Sequence, residues 1–426
     1  MTTPDPARFL RELYDVAVAR AQPECLMRNA LAGIEPGPVT VVGAGKAGAS
    51  MAAALEAAWP GPPEDLGGLV ITRYGHGRPT RRIEVVEAAH PVPDEAGLEA
   101  TRRMLGLVDG LGAEDRVIAL LSGGGSALLT APVDALGLSM KQVLTRALLR
   151  CGADIAEINC VRKHLSAIKG GRLAARAWPA KVITLAISDV VGDDPAVIAS
   201  GPTVADPSTR EQALAILQRS SVPIPESVRA WLADFASETP KPGDPRLASS
   251  EYRLVASPAL SLHAAAEYAQ AAGITPVLLG DAIEGEASQV ARVMAGIARA
   301  CRNGNGPARA PCVLLSGGET SVTLPASGQG RGGRNTEFLL ALALALKSTP
   351  GIHALAADTD GIDGSEDNAG ALVSPDTLSR AAAISRSPEE ALAEHDAWGF
   401  FDALGDLLVT GPSYTNVNDF RAVLVL

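Results

Sequence analysis

The sequence has no paired-cysteine motif, no membrane-length apolar run and no surplus of positive charge, and each absence removes a class of protein. Its five cysteines, Cys25, Cys151, Cys160, Cys301 and Cys312, are scattered without C-x-x-C spacing. That argues against a disulfide or zinc framework and for a reducing, cytoplasmic compartment. The longest uninterrupted apolar run, residues 338–346, is far short of the roughly 20 residues that cross a bilayer and reads as a buried helix. The first twelve residues mix Pro4, Asp5, Arg8, Arg11 and Glu12 and lack the continuous apolar stretch of a secretory signal. A formal net charge of -11 argues against general affinity for nucleic acid. It leaves room for a small anion, which a few local donors can hold.

What is present is an ordinary globular balance, 47% hydrophobic and 20% charged, in 426 residues. That length predicts two domains. Short β-branched runs end repeatedly in glycine and hand over to alanine- and leucine-rich stretches, the alternation of an α/β fold with mostly parallel, helix-covered sheets. Residues 39–42, 69–73, 83–87, 116–121 and 181–187 read as strands of a first sheet. Residues 238–245, polar and with three prolines, cannot continue a helix or a central strand. This places an N-terminal Rossmann-like domain over 1–240 and a C-terminal α/β domain over 248–426. Strands of the second are expected at 252–256, 276–279, 312–316, 352–357 and 422–425, with helices at 259–272, 286–302, 336–347 and 375–384. Ligands of open α/β sheets collect at the carboxyl ends of strands, so the expected site is a cleft between the two domains.

The chemistry sits in glycine-rich loops. Gly43-Ala44-Gly45-Lys46-Ala47-Gly48 follows a strand and satisfies G-x-G-x-x-G, a phosphate-binding pattern in which glycines permit close backbone approach. A nicotinamide cofactor would call for an acidic residue at the end of the second strand, where Arg73 stands instead. Arg73 suits the extra phosphate of NADP, so a dehydrogenase remains an alternative, while Lys46 inside the loop favours a phosphoryl group. Ser122-Gly123-Gly124-Gly125-Ser126 and Ser316-Gly317-Gly318-Glu319-Thr320 repeat one strand-to-loop pattern and offer N–H groups plus hydroxyls. A third glycine-rich stretch, Gly328-Gln329-Gly330-Arg331-Gly332-Gly333-Arg334-Asn335, joins them. Each could be a plain glycine turn, but together they favour polyphosphate.

Two acid-rich loops after strands, 188–194 with Asp189 and Asp193 and 358–364 with Asp358 and Asp360, match magnesium in chemistry. Asx-turns are the structural alternative for single aspartates. Residues 159–172 concentrate Arg162, Lys163, His164, Lys169 and Arg172 in a short segment expected to be helical, either an anion contact or a solvated face. His90 precedes the stiff Pro91-Val92-Pro93 turn, which would present it well. Asn335 is a candidate N-cap for the apolar helix, with Arg334 set against that helix's positive pole, a placement that a bound anion would explain.

Taken in order, these motifs and the ending Thr410-Gly411-Pro412-Ser413-Tyr414-Thr415-Asn416-Val417-Asn418-Asp419 resemble the bacterial glycerate 2-kinases whose C-terminal half is called the MOFRL domain. The resemblance spans nearly the whole chain and implies a two-domain kinase that uses ATP and Mg²⁺ to phosphorylate the 2-hydroxyl of D-glycerate. It implies Lys46, Arg334 and Asp189 as catalytic residues and His90, Arg162, Lys163 and Asn335 as substrate contacts. Nucleotide phosphates would fall to Gly43, Gly45 and the two Ser-Gly-Gly loops, and metal to Asp189, Asp193, Asp358 and Asp360. Arg331 stands where the family pattern suggests a lysine. Members of this family have also been called hydroxypyruvate reductases, which gives the dehydrogenase alternative a concrete form; a non-catalytic sensor of a nucleotide or sugar phosphate is a third reading.

Overall fold

The computed structural model describes residues 5–134, 136–220, 224–324 and 330–426. Residues 1–4 of the N-terminal segment, and Gly328 and Gln329 of the glycine-rich stretch, lie outside them. The chain forms two compact units, one of Pro23–Val255 and one that joins the residues before Pro23 to Ala256–Leu426.

The first unit is built on six strands: β1 (Val39–Ala44), β2 (Leu66–Arg73), β3 (Ile83–Ala88), β4 (Arg116–Leu121), β5 (Lys181–Ile187) and β6 (Glu251–Ala256). Their order is β3-β2-β1-β4-β5-β6, and pairing from β3 through β5 is parallel. β1, β4 and β5 are buried along nearly their whole length because helices cover both faces of a parallel sheet. With the strands parallel, the carboxyl ends of β1 through β5 share one edge, and the glycine and acid loops leave from it.

The second unit contains β7 (Thr275–Gly280), β8 (Gly285–Glu286), β9 (Cys312–Ser316), β10 (Thr320–Ser321), β11 (Ile352–Asp358), β12 (Gly370–Val373), β13 (Leu407–Leu408) and β14 (Asp419–Val425). Its main sheet runs β13-β12-β11-β14-β9-β7. In this sheet β7 and β9 pair in parallel and the other four neighbour pairs are antiparallel, so the expectation of a mostly parallel second sheet is corrected. The reason is specific. Helices do connect β7, β9 and β11, and these strands do share one direction, but β14 inserts antiparallel between β9 and β11. Strands buried on both faces read as continuous apolar runs whatever the direction of their neighbours, so the sequence pattern does not reveal the insertion.

The units also divide differently from 1–240 and 248–426. The strand expected to open the second domain, at 252–256, is β6 of the first sheet. Residues 238–245 break regular structure as their prolines require, yet they pack on the first unit: the Asp206 amide donates to Pro240 O at 2.9 Å and Lys241 Nζ donates to Asp206 O at 3.2 Å. The basic segment 159–172 is not one helix. The helix Ile155–His164 ends, Gly170 and Gly171 turn the chain with φ of +59° and +81°, and a second helix begins at Arg172.

The N-terminal helix Pro6–Arg20 starts on Asp5, whose carboxylate accepts from the Ala7 amide at 3.1 Å. Its apolar stripe, Phe9, Leu10, Leu13, Tyr14 and Ala17, is buried with Leu262, Ala265 and Ala269 of the helix Pro258–Ala271 and with one face of the second sheet. On the other face lie the helices Ala287–Arg302 and Arg334–Leu346; the latter contains the long apolar run, almost wholly buried. Because Leu10 is fully buried in that layer, Leu10→Ala is expected to destabilise the protein by about 2–5 kcal/mol. Urea denaturation checks this, and a loss within about 0.5 kcal/mol would mean the helix does not carry the packing described.

Candidate functional site

At the carboxyl edge of the first sheet the loops after β1, β3, β4 and β5 converge because two positions have no side chain. A Cβ on Gly123 would overlap the Asp189 carboxylate. A Cβ on Gly124, at φ +78°, would lie 3.0 Å from His90 Nε2 and 3.3 Å from Lys46 Cγ. Lys46, His90 and Asp189 are therefore gathered against a bare backbone surface, each supplied by a different strand end.

The β1 loop is fastened by its own amides. Gly45 N donates to Ile71 O at 3.1 Å, Lys46 N to Gly123 O at 2.8 Å, Ala47 N to Ser122 Oγ at 3.1 Å and Gly48 N to Gly45 O at 2.9 Å. The G-x-G-x-x-G pattern is thus a tight packing turn in which the N–H groups of Gly45 through Gly48 are consumed within the chain. In the β4 loop, Ser122 is fully buried and binds the β1 loop, while the Ser126 hydroxyl shares a 2.7 Å hydrogen bond with Ser200.

Beside this loop a cavity of about 320 Å³ is bounded by His90, Ser126, Lys141, Gln142 and Arg162. Lys141 is 9% exposed and donates to Thr130 Oγ1 at 3.2 Å. Burial, with Arg162 adding repulsion, pushes its ammonium down to about 8. Burial also lowers the Arg162 guanidinium, and it lowers the fully buried Lys169 well below the usual lysine range with Lys141 and Arg162 contributing. Lys169 Nζ donates to Ser126 O and Leu129 O, both at 2.8 Å. Lys163, expected alongside Arg162, is instead 3.3 Å from Asp206 in a buried ion pair, and His164 bridges Cys160 O and Glu238. Lys141 was not singled out from sequence, since a lysine in an amphipathic helix carries no local signal; Lys169 stood out only as part of the basic segment 159–172.

In the second unit, Arg334 is the first residue of its helix, Gly333 is the N-cap, and Asn335, expected as the cap, lies one position inside. The helix pole is occupied by the chain's own anion: Asp363 accepts from Asn335 N at 2.9 Å, Thr336 N at 2.8 Å and Thr336 Oγ1 at 2.9 Å. Arg334 donates to Asp419 at 2.7 Å, Glu319 at 2.7 Å and Asp358 at 2.8 Å. Burial alone would lower its guanidinium; Asp419, Asp358 and Glu319 outweigh that and raise it. Asn335 is fully buried and donates to Asp419 at 2.8 Å. The Ser316–Thr320 loop is tied down similarly: Arg421 donates to Gly317 O at 3.1 Å, to Thr320 Oγ1 at 3.0 Å and to Asp419. Asp419, Asp363 and Arg421 organise this centre, and sequence reading gave none of them a role. Arg334 and Asp358 border a cavity of about 360 Å³ with Glu337 and His395.

Among the described residues no three His, Cys, Asp or Glu side chains gather as a metal site. Magnesium needs only one or two carboxylates when phosphate oxygens complete its shell, and Asp189 at the glycine loop fits that requirement. Asp193, at φ +55°, has a buried Oδ1 with no hydrogen-bond partner among the described residues. Asp358 Oδ1 and Asp360 Oδ1 accept from Asp360 N and Ile362 N, both at 3.0 Å, the geometry of Asx-turns.

Lysine, histidine and aspartate thus meet at the glycine-rich edge of a parallel α/β unit. Residues 9–233 match the family described as a domain of unknown function, DUF4147, and residues 312–419 match the MOFRL family. The chain is 39% identical over 421 residues to a D-glycerate 2-kinase of Thermotoga maritima, covering 97% of each protein. It is 55% identical over 418 residues to an Agrobacterium vitis protein provisionally named a hydroxypyruvate reductase, covering 98% of this chain and 94% of that one. The crystal structure of a Thermotoga maritima glycerate kinase superposes with a TM-score of 0.91 at 38% identity, with 99% of both chains covered. The chain belongs to the DUF4147–MOFRL family, to which proteins named glycerate kinase also belong.

Three carboxylates at once need the fork of an arginine. Arg334→Lys is therefore expected to lower stability by about 1–3 kcal/mol, because a lysine leaves carboxylates in the cluster without donors. Thermal melts check this, and an unchanged melting temperature would show that the triple contact does not hold the centre together.

Proposed function

We propose that the chain transfers the γ-phosphoryl group of ATP to the 2-hydroxyl of D-glycerate, giving 2-phosphoglycerate and ADP. The observation that carries the reading is the gathering of Lys46, His90 and Asp189 over Gly123 and Gly124. Phosphoryl transfer depends on positioning and on stabilising charge spread over the transferring oxygens. Lys46 supplies that positive charge, and the Ser122 to Ser126 loop offers its bare backbone to the phosphates. Asp189 holds the divalent cation or orients the hydroxyl, and His90 and Arg162 hold the acceptor. When bound with the nucleotide, Mg²⁺ neutralises charge on its phosphate oxygens. In the second unit, Asp358, Asp419 and Glu319 engage all three nitrogens of the Arg334 guanidinium, which borders a cavity of its own; any role of Arg334 toward a reactant is exerted from that fixed position.

The reductase alternative rests on the names of relatives and on Arg73 at the end of β2. A dinucleotide pyrophosphate would need the N–H groups of the β1 loop. The amides of Gly45 through Gly48 are already bonded inside the chain, which counts against it.

Lys46→Ala should fold normally and lose roughly a hundredfold or more in turnover. Near-normal turnover would remove Lys46 from the mechanism. Activity should stop with EDTA and return with magnesium, and a chelated preparation at full rate would contradict the metal's part. Phosphorus NMR of the product mixture tests the regiochemistry, with 2-phosphoglycerate expected and 3-phosphoglycerate the contradicting result.

A further inference from the structure

Proteins pair the charges they bury, and several buried cations of this chain follow that rule. Lys163 has Asp206, Arg334 has three carboxylates, and fully buried Arg421 has Asp419. Lys141, Arg162 and Lys169 share one neighbourhood, and among the described residues none of the three forms an ion pair. Lys169 is spoken for by two carbonyls. Lys141 and Arg162 face the cavity of about 320 Å³, with only a threonine hydroxyl hydrogen-bonded to Lys141.

Cations lining a half-open cavity, with no acid among its lining residues to balance them, describe a site whose anion comes from outside. Its position narrows the choice. The floor is Gly124, Ser126 and Ala127, so the cavity abuts the loop on which Lys46 and His90 meet. The opposite wall is the apolar Pro91-Val92-Pro93 turn, held to the Lys141 helix by Gln142 Nε2 donating to Pro93 O at 2.8 Å. Arg146 on the same lining is exposed, so the cations held inside are the Lys141 ammonium and the partly buried Arg162 guanidinium; against an otherwise largely apolar wall they match a single carboxylate on a short carbon body. The remaining charged or titratable groups on the wall, His90 and Arg146, bring no negative charge.

We propose that this cavity is the subsite for the carboxylate of the acceptor hydroxy acid, with Lys141 and Arg162 as its binding residues. The assignment rests on the glycerate kinase reading for the identity of the acid, though not for the existence of the anion site. The unliganded protein then carries an electrostatic penalty that the substrate relieves. Lys141→Met removes the ligand's partner and the penalty together, so binding and stability move in opposite directions.

Isothermal titration of the nucleotide-free protein with D-glycerate, with glycerol as the carboxylate-free control and with inorganic phosphate, tests this. Lys141→Met and Arg162→Gln should each weaken glycerate binding roughly 10–100-fold, with the KM for ATP unchanged. The melting temperature of ligand-free Lys141→Met should equal or exceed that of the parent, an outcome that a purely structural lysine would not give. Unaltered glycerate binding in both variants overturns the proposal. So does a rise in KM for ATP without one for glycerate, or stronger binding of phosphate than of glycerate, either of which assigns the cavity to phosphate. Lys141-dependent glycerate binding without any transfer from ATP would retain the subsite and remove the kinase reading; transfer with unaltered glycerate binding in the variants would do the reverse.

Discussion

The site in the first unit depends on the absence of two side chains. Gly123 and Gly124 are where strand ends that are separated widely in sequence come within contact, and any Cβ there would displace Asp189 or crowd His90 and Lys46. The parallel sheet brings the loops to one edge; the glycines let them close. Ser122, Thr72 and the β1-loop amides then lock the closed arrangement through short-range hydrogen bonds. The loops that carry Lys46, His90 and Asp189 are thereby held by backbone contacts of the scaffold, the preorganisation that the proposed phosphoryl transfer would draw on.

The two units handle charge in contrasting ways. In the second, Arg334, Arg421, Asp358, Asp363, Asp419 and Asn335 form a network in which each arginine faces at least one carboxylate. Burial raises the Asp363 carboxyl, but helix amides and a hydroxyl satisfy both of its oxygens. Around the cavity beside the β4 loop of the first unit, Lys141, Arg146 and Arg162 have no carboxylate among the lining residues. A balanced network suits rigidity, and an unbalanced one suits a ligand that carries the missing charge.

Much of this was legible in the sequence for identifiable reasons. Strands 116–121 and 181–187 were read to the residue because β-branched runs ended in glycine or in a Ser-Asp loop. Residues 338–346 read as a buried helix because no charge interrupts them. The glycine loops were found, but their division of labour was not, since pattern alone cannot tell an amide that binds a ligand from one that donates to Ile71 or Gly123. Arg334 was singled out for its place at a positive helix pole. Its three carboxylates come from residues 319, 358 and 419, a long-range convergence invisible before folding. The same limit hid the N-terminal helix in the second unit, and the antiparallel insertion of β14.

The proposed kinase differs from a reductase in its co-substrate, a nucleoside triphosphate instead of a nicotinamide dinucleotide. Purified protein given ATP, Mg²⁺ and D-glycerate in one reaction, and NADPH with hydroxypyruvate in another, decides between them most directly. The account predicts glycerate-dependent formation of ADP in the first and no consumption of NADPH in the second; NADPH oxidation without glycerate-dependent ADP would contradict it.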